Sequence, residues 1–186
     1  MEIVRPRPPR APRAQLAILM TALIVLIAGY GASRTSAFQW FLLNASLRMQ
    51  FPQVAWITTR ELANWLEDRR RQPPVLLDVR TRDEWNVSHL PGARRVDPGA
   101  SAEMALPNAN RDIETIVYDA IGYRSAELAA RLRAAGFTHV RCLDGSIFQW
   151  ANEHRPLVRN GDPVTRVHPY TQYWGRLLSD DLKAPL

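Results

Sequence analysis

Tyr118-Asp-Ala-Ile-Gly-Tyr-Arg-Ser125 is the stretch on which the reading of this chain turns. The β-branched run Thr115-Ile-Val117 leads into it and a helical pattern leads out of it, so it reads as strand, tight loop and helix N-terminus. A loop of that kind aims several backbone N–H groups at one spot and adds the positive end of a helix dipole. It is a cradle for an anion, and a thiolate held there would be stabilised and nucleophilic. This chain places the carboxylate of Asp119 at that point instead.

Outward from the loop the pattern alternates. Val54-Ala-Trp-Ile57 reads as a short apolar strand, and Thr58-Thr-Arg-Glu61 as a capping box opening a helix with Leu62, Trp65 and Leu66 on one face. Arg69-Arg-Arg71 is expected at that helix's C-terminal end, with Pro73-Pro74 stopping it. Val75-Leu-Leu-Asp-Val79 is a nearly continuous apolar run, as in a strand buried on both faces of a parallel sheet. A short helix over Arg82–Val87 is followed by the turn His89-Leu-Pro-Gly-Ala93, a strand at Arg94-Arg-Val96, and a loop over 97–113 with one helical turn near Ala102–Leu106. Beyond the Thr115–Tyr118 strand, Ser125, Leu128, Ala129 and Leu132 form a 3.6-period stripe ending at Gly136. His139–Leu143 is a further strand, and a last helix carries Ile147 and Trp150. Strands alternating with helices predict an α/β domain: a parallel sheet with right-handed crossovers, covered on both sides.

The 186 residues allow one ordinary domain and a further segment. The 24 Lys+Arg exceed the 18 Asp+Glu, but the excess is local. Arg5, Arg7, Arg10, Arg13 and Arg34 precede the globular part; setting them and Glu2 aside leaves 19 basic and 17 acidic residues. A nearly neutral body behind a basic leader argues against nucleic acid and for a membrane. Between Arg13 and Arg34 lie 20 uncharged, mostly apolar residues, 14–33, enough helix to span roughly 30 Å of hydrocarbon. The expected order is therefore a basic cytoplasmic leader (1–13), a transmembrane helix or signal anchor (14–33), a juxtamembrane amphipathic segment (34–53), the folded domain (54–158) and a C-terminal tail (159–186). The leader would stay cytoplasmic and the domain would face the periplasm or exterior. The alternative is a cleaved signal peptide, since Gly29-Tyr-Gly31 and Gly31-Ala-Ser33 offer small-x-small sites, and it too exports the domain. Residues 37–51 suit either a helix at the membrane surface or one packed on the domain. The single cysteine, Cys142, excludes an intrachain disulfide and a thiolate metal cluster, and the four histidines show no ligand spacing. Neither a metal nor a cofactor is called for.

Several separate motifs in order give the chain a resemblance to the rhodanese-like domain family. Leu76-Leu-Asp-Val-Arg80, Glu84-Trp85 and His89-Leu-Pro-Gly-Ala93 resemble its opening signature. Leu143-Asp-Gly-Ser-Ile147 with Trp150 is similar to its L-x-G-G-x-x-x-W. Asp119–Arg124 followed by Ser125 matches C-x-x-G-x-R-S in spacing and in Gly122, Arg124 and Ser125. The resemblance covers Val54 to Val158. It implies a five-stranded parallel sheet flanked by helices, with the active loop at a strand's C-terminal end. Active members carry a persulfide on the loop cysteine and pass sulfane sulfur from a donor such as thiosulfate to a thiophilic acceptor. The six-residue loop fits that branch rather than the related phosphatases.

The departure from the pattern governs the expected function, because the family's cysteine position is Asp119 here and a carboxylate cannot hold a persulfide. Cys142 falls inside a strand, where a thiol is buried and inert. Ser146 and Ser88, replacing glycines of the pattern, are expected to affect backbone freedom more than chemistry. Asp119 is expected to accept hydrogen bonds from the loop's own N–H groups and fill the cradle, formed by Asp119, Ala120, Ile121, Gly122, Tyr123 and Arg124. Its alternative role is as a nucleophile, for which no acid–base partner is visible. Arg124 is expected to fix the loop with Glu84 as its partner, Asp78 and Arg80 to organise the strand end, and His89 to support a turn. The reading is a membrane-anchored rhodanese-like domain, inactive as a sulfurtransferase, that binds or scaffolds a protein partner through the loop or the tail. The alternative is a sulfurtransferase with a non-standard or partner-supplied nucleophile.

Overall fold

The computed structural model describes residues 36–186; the leader and the expected span at 14–33 lie outside the described residues. Among the described residues no helix is long and apolar enough to cross a membrane. The described residues open on helix α1 (Ser36–Gln50) and continue through β1 (Ala55–Ile57), α2 (Thr59–Glu67), β2 (Val75–Asp78), α3 (Arg82–Val87) and β3 (Arg94–Arg95). Then come α4 (Ala102–Ala105), β4 (Thr115–Tyr118), α5 (Tyr123–Ala134), β5 (Val140–Leu143), α6 (Ser146–Asn152), and the hairpin of β6 (Leu157–Arg159) and β7 (Asp162–Val164). The first five strands form one parallel sheet in the order β1-β5-β4-β2-β3, so the expected five-stranded parallel architecture is the one found.

Strands β2 and β4 pair in register, Leu76 with Ile116 and Leu77 with Val117. Successive side chains point to opposite faces, and both faces are covered. Leu76, Ile116, Tyr118 and Leu143 meet Leu62 and Trp65 of α2 and Ile147, Phe148 and Trp150 of α6. On the other side Leu77, Val117 and Cys142 meet Leu128 and Leu132 of α5 and Ala105 of α4. That double burial is why these strands read as unbroken apolar runs.

The Thr58 capping box is present, the side-chain oxygen of Thr58 accepting from Glu61 N and Glu61 receiving the Thr58 N–H. The end of α2 differs from expectation. The helix stops at Glu67, before the arginines and prolines, because the Asp68 N–H turns back to the carbonyls of Asn64 and Trp65 and its carboxylate takes the Arg70 N–H at 3.0 Å. Arg71 then folds over Trp65, its guanidinium carbon 3.5 Å from the ring centroid. Past β7 the chain returns to the core: Val167, Leu177, Leu178 and Leu182 are buried in the same cluster as Trp150 and Leu157.

Candidate active site loop

The loop leaves the C-terminal end of β4, the central strand of the parallel sheet, and enters α5 at Gly122, whose φ of 118° only glycine adopts readily. Asp119 at its start is 1% exposed. One carboxylate oxygen, Oδ1, accepts from the backbone N–H of Gly122 at 2.7 Å, the Ser125 hydroxyl at 2.9 Å and the Ser146 hydroxyl at 3.2 Å. The other, Oδ2, faces the Arg124 backbone N–H at 3.3 Å and its Nε at 3.5 Å. Two of the loop's backbone donors, Gly122 and Arg124, are thus aimed inward at a carboxylate that belongs to the protein. Carbonyls of Asp119 and Ala120 in turn accept from the N–H groups of Ile147 and Phe148, tying the loop to the first turn of α6.

Arg124 is clamped on its far side. Its Nη1 and Nη2 donate to the two oxygens of Glu84 at 2.8 Å each, a bidentate pair across two elements. Glu84 is itself fixed as the third residue of a second capping box, taking the N–H of Thr81 at 3.0 Å. Burial alone would raise the Glu84 carboxyl; the hydrogen bonds and charge of Arg124, with Thr81, outweigh it and hold the group below its ordinary range. The Tyr170 ring lies over the Arg124 guanidinium, 4.5 Å from centroid to carbon. Thr81-Arg-Asp-Glu84 spells that capping box in the sequence, a signal the sequence reading passed over.

Helix α1 roofs the loop. A side chain at Gly122 would meet Leu47 Cδ1 at 2.9 Å, and the ring of Trp56 stands just behind. Phe51 packs edge-on against Tyr123 with centroids 5.6 Å apart, and Arg48 pairs with Asp144 at 2.7 Å. Sequence patterning offered two locations for this helix, and no local signal pointed to Leu47 over Gly122.

The other expected residues sit apart from the loop. Asp78 and Arg80 are fully buried and bound to each other, Nη2 to Oδ2 at 2.6 Å, with Arg80 also donating to the Ser88 carbonyl at 2.6 Å. They meet the loop's strand through the backbone, the Val79 N–H reaching the Tyr118 carbonyl at 2.9 Å, and through the Arg80 guanidinium, whose carbon lies 5.9 Å from the Tyr118 ring centroid. The ring of His89 stacks on Trp85 at 3.5 Å and its backbone bridges to Val158, a supporting position. Cys142 is buried between β1 and β4, opposite Trp56 and Val117, and burial above all pushes its thiol well up. Ser146 departs from expectation: besides a backbone φ of 50°, its hydroxyl takes the Asp119 N–H at 3.3 Å and donates toward the carboxylate.

A five-stranded parallel sheet with a strand–loop–helix anion cradle defines an α/β domain of the kind that carries a charged group at a strand's C-terminal end. The chain belongs to the rhodanese-like domain family, whose model matches residues 58–153. It is 35% identical over 101 residues to the "Probable adenylyltransferase/sulfurtransferase MoeZ" of Mycobacterium tuberculosis, covering 54% of this chain and 25% of that protein. It is 33% identical over 85 residues to the thiosulfate sulfurtransferase GlpE of Pseudomonas putida, covering 46% of this chain and 76% of the other. Among solved structures, a rhodanese-like domain protein from Staphylococcus aureus superposes with a TM-score of 0.50 at 27% identity, covering 57% of this chain and 99% of that one. A rhodanese-like domain from Anabaena gives 0.52 at 26%, covering 56% and 78%. The chain spans only a quarter of the length of MoeZ, and none of the loop residues 119–124 is a cysteine.

Proposed function

We propose that this protein is a membrane-anchored rhodanese-like domain that does not transfer sulfur and serves as a binding or scaffolding module, with its folded part outside the cytoplasm. The observation that carries this is the Asp119 carboxylate, which occupies the loop's donors from within: Gly122 N at 2.7 Å, Ser125 Oγ at 2.9 Å and Arg124 N at 3.3 Å. A substrate anion such as thiosulfate would meet a filled cradle and a buried negative group, with no thiol to accept the sulfur. Cys142 offers no substitute, since it lies within the sheet with its thiol pushed up by burial. The membrane assignment is supported by the basic leader followed by the 20 uncharged residues of 14–33. The decisive assay is thiocyanate formation from thiosulfate and cyanide by the purified full chain in detergent. No turnover above the uncatalysed rate is expected; robust turnover overturns the reading.

A further inference from the structure

Helix α1 carries two apolar stripes. Trp40, Leu43 and Leu47, spaced three and four apart, face the domain: Leu47 is buried, and Trp40 and Leu43 pack against the core. Phe41, Leu42 and Met49 lie on the opposite side, 64%, 51% and 77% exposed. At 3.6 residues per turn the three fall within an arc of about 100° on that side of the helix. One bare apolar side chain is ordinary, but a row of three large ones behind a face already used for packing calls for a cover.

The sequence just upstream supplies one. The uncharged run ends at Ser33 and α1 begins at Ser36, a connection that reaches at most about 11 Å. With 14–33 across a bilayer, α1 starts within or at the edge of the headgroup layer, which adds about 5–8 Å outside each face of the hydrocarbon. A helix standing upright from there would carry Met49 roughly 20 Å into water. A helix lying in the plane sets Phe41, Leu42 and Met49 at one depth and leaves the opposite stripe to hold the domain.

We infer that α1 lies flat on the lipid surface by Phe41, Leu42 and Met49 while Trp40, Leu43 and Leu47 clamp the domain beneath it, so that the Asp119 loop is roofed by a helix sandwiched between sheet and bilayer. This rests on the reading of 14–33 as a membrane span, and the experiment separates the two. The full chain carrying F41C, L42C, M49C or, as a control, N110C is labelled with an environment-sensitive fluorophore and reconstituted in phosphatidylcholine–phosphatidylglycerol vesicles. Position 110 is exposed in the loop that enters β4, at the other end of that strand from Asp119. Unsubstituted protein, whose Cys142 is buried, sets the labelling background.

The expected result is flotation of every variant with the vesicles, blue-shifted emission at 41, 42 and 49 with quenching by doxyl lipid, and quenching of position 110 by aqueous iodide alone. Flotation with all four positions quenched by iodide overturns the inference and leaves the anchor standing. Protection of 41, 42 and 49 from both quenchers, with energy transfer between labelled copies, also overturns it, since a second copy then covers the stripe. Failure to float overturns the anchor and the inference together.

Discussion

The Ser146 hydroxyl lies 3.2 Å from Asp119 Oδ1 and accepts the Asp119 backbone N–H at 3.3 Å. Two residues that depart from the family's sequence pattern therefore touch each other. With its backbone at φ 50°, Ser146 occupies a conformation that costs a non-glycine residue about 1–2 kcal/mol, and its hydroxyl supplies a buried donor and acceptor in return. The loop and the first turn of α6 are joined at the very place where the family's chemistry is missing.

Ser146→Ala removes that hydroxyl and leaves the buried Asp119 N–H without it. The expected loss is about 1–3 kcal/mol of unfolding free energy in urea. Ser146→Gly loses the same hydroxyl but relieves the positive φ, so it is expected to be the milder variant. Equal losses for the two would show that the backbone conformation carries no strain. A double-mutant cycle with Asp119→Ala is expected to give a coupling of about 0.5–3 kcal/mol, because the two side chains share one hydrogen-bond network.

Arg124→Ala leaves Glu84 buried without its bidentate partner. Breaking such a pair costs about 3–5 kcal/mol when both groups are buried; here the Arg124 side chain is 15% exposed and Glu84 2%, which favours the lower end. The pH dependence has a definite sign. In the native protein Glu84 is held below its ordinary 4.5, so its contribution is fully present above that pH and lost as pH falls through the lower folded value. Without Arg124 only the Thr81 hydrogen bonds still counter burial, so the group rises from its native position and protonation relieves the variant. The stability gap between the two proteins is expected to narrow between pH 7 and pH 4. A gap that stays constant or widens in urea titrations would rule out Glu84 as the group responsible.

How much of this was legible beforehand depends on the range of each interaction. Strands β2 and β4 were readable because Leu76 and Leu77, like Ile116 and Val117, serve opposite faces of one sheet and so leave an unbroken apolar run. The start of α2 was readable from Thr58 and Glu61, three residues apart. Its end was not, since Asp68 turns the chain before the arginines arrive, and a carboxylate beside three cations gave no sign of that. Glu84 and Arg124 are 40 positions apart, and only the family resemblance suggested their pairing. Ser146 was weighed as a backbone substitution alone, which overlooked its hydroxyl. Leu47 over Gly122 is a tertiary contact between residues that no periodicity connects.

Cys142 gives a simple check on the core. It lies within β5 between Trp56 and Val117, and burial pushes its thiol well above the ordinary cysteine range. Native protein is expected to show no reaction with a thiol-specific chromogenic reagent on the timescale on which the urea-unfolded chain reacts fully. Fast labelling in the native state would contradict the placement of this strand inside the sheet between β1 and β4.

Asp119→Cys restores the family's residue, and the donors that now serve the carboxylate would lower the new thiol's pKa. Access is another matter. Asp119 is 1% exposed, and Leu47 lies over the loop at Gly122. The single variant is therefore expected to label slowly and to form no thiocyanate, whereas Asp119→Cys with Leu47→Ala is expected to label faster because the roof has been thinned. Rapid labelling of the single variant, or identical rates for the two, would show that α1 does not control entry.

Gly122→Ala tests the same contact through stability, and two costs are separable in it. The backbone sits at φ 118°, strained for any L side chain, and the added methyl would stand 2.9 Å from Leu47 Cδ1. Strain of the first kind costs about 1–3 kcal/mol, and overpacking of the second kind about 1–3 kcal/mol. Leu47→Ala removes the second cost only. In the Leu47→Ala background, Gly122→Ala should therefore be less destabilising than in the native protein, yet still destabilising. Full additivity would mean that the helix yields to the methyl without resistance, and complete rescue would mean that the backbone conformation carries no cost. Equilibrium urea unfolding of the four proteins in the cycle, with helix content checked by circular dichroism, distinguishes these outcomes.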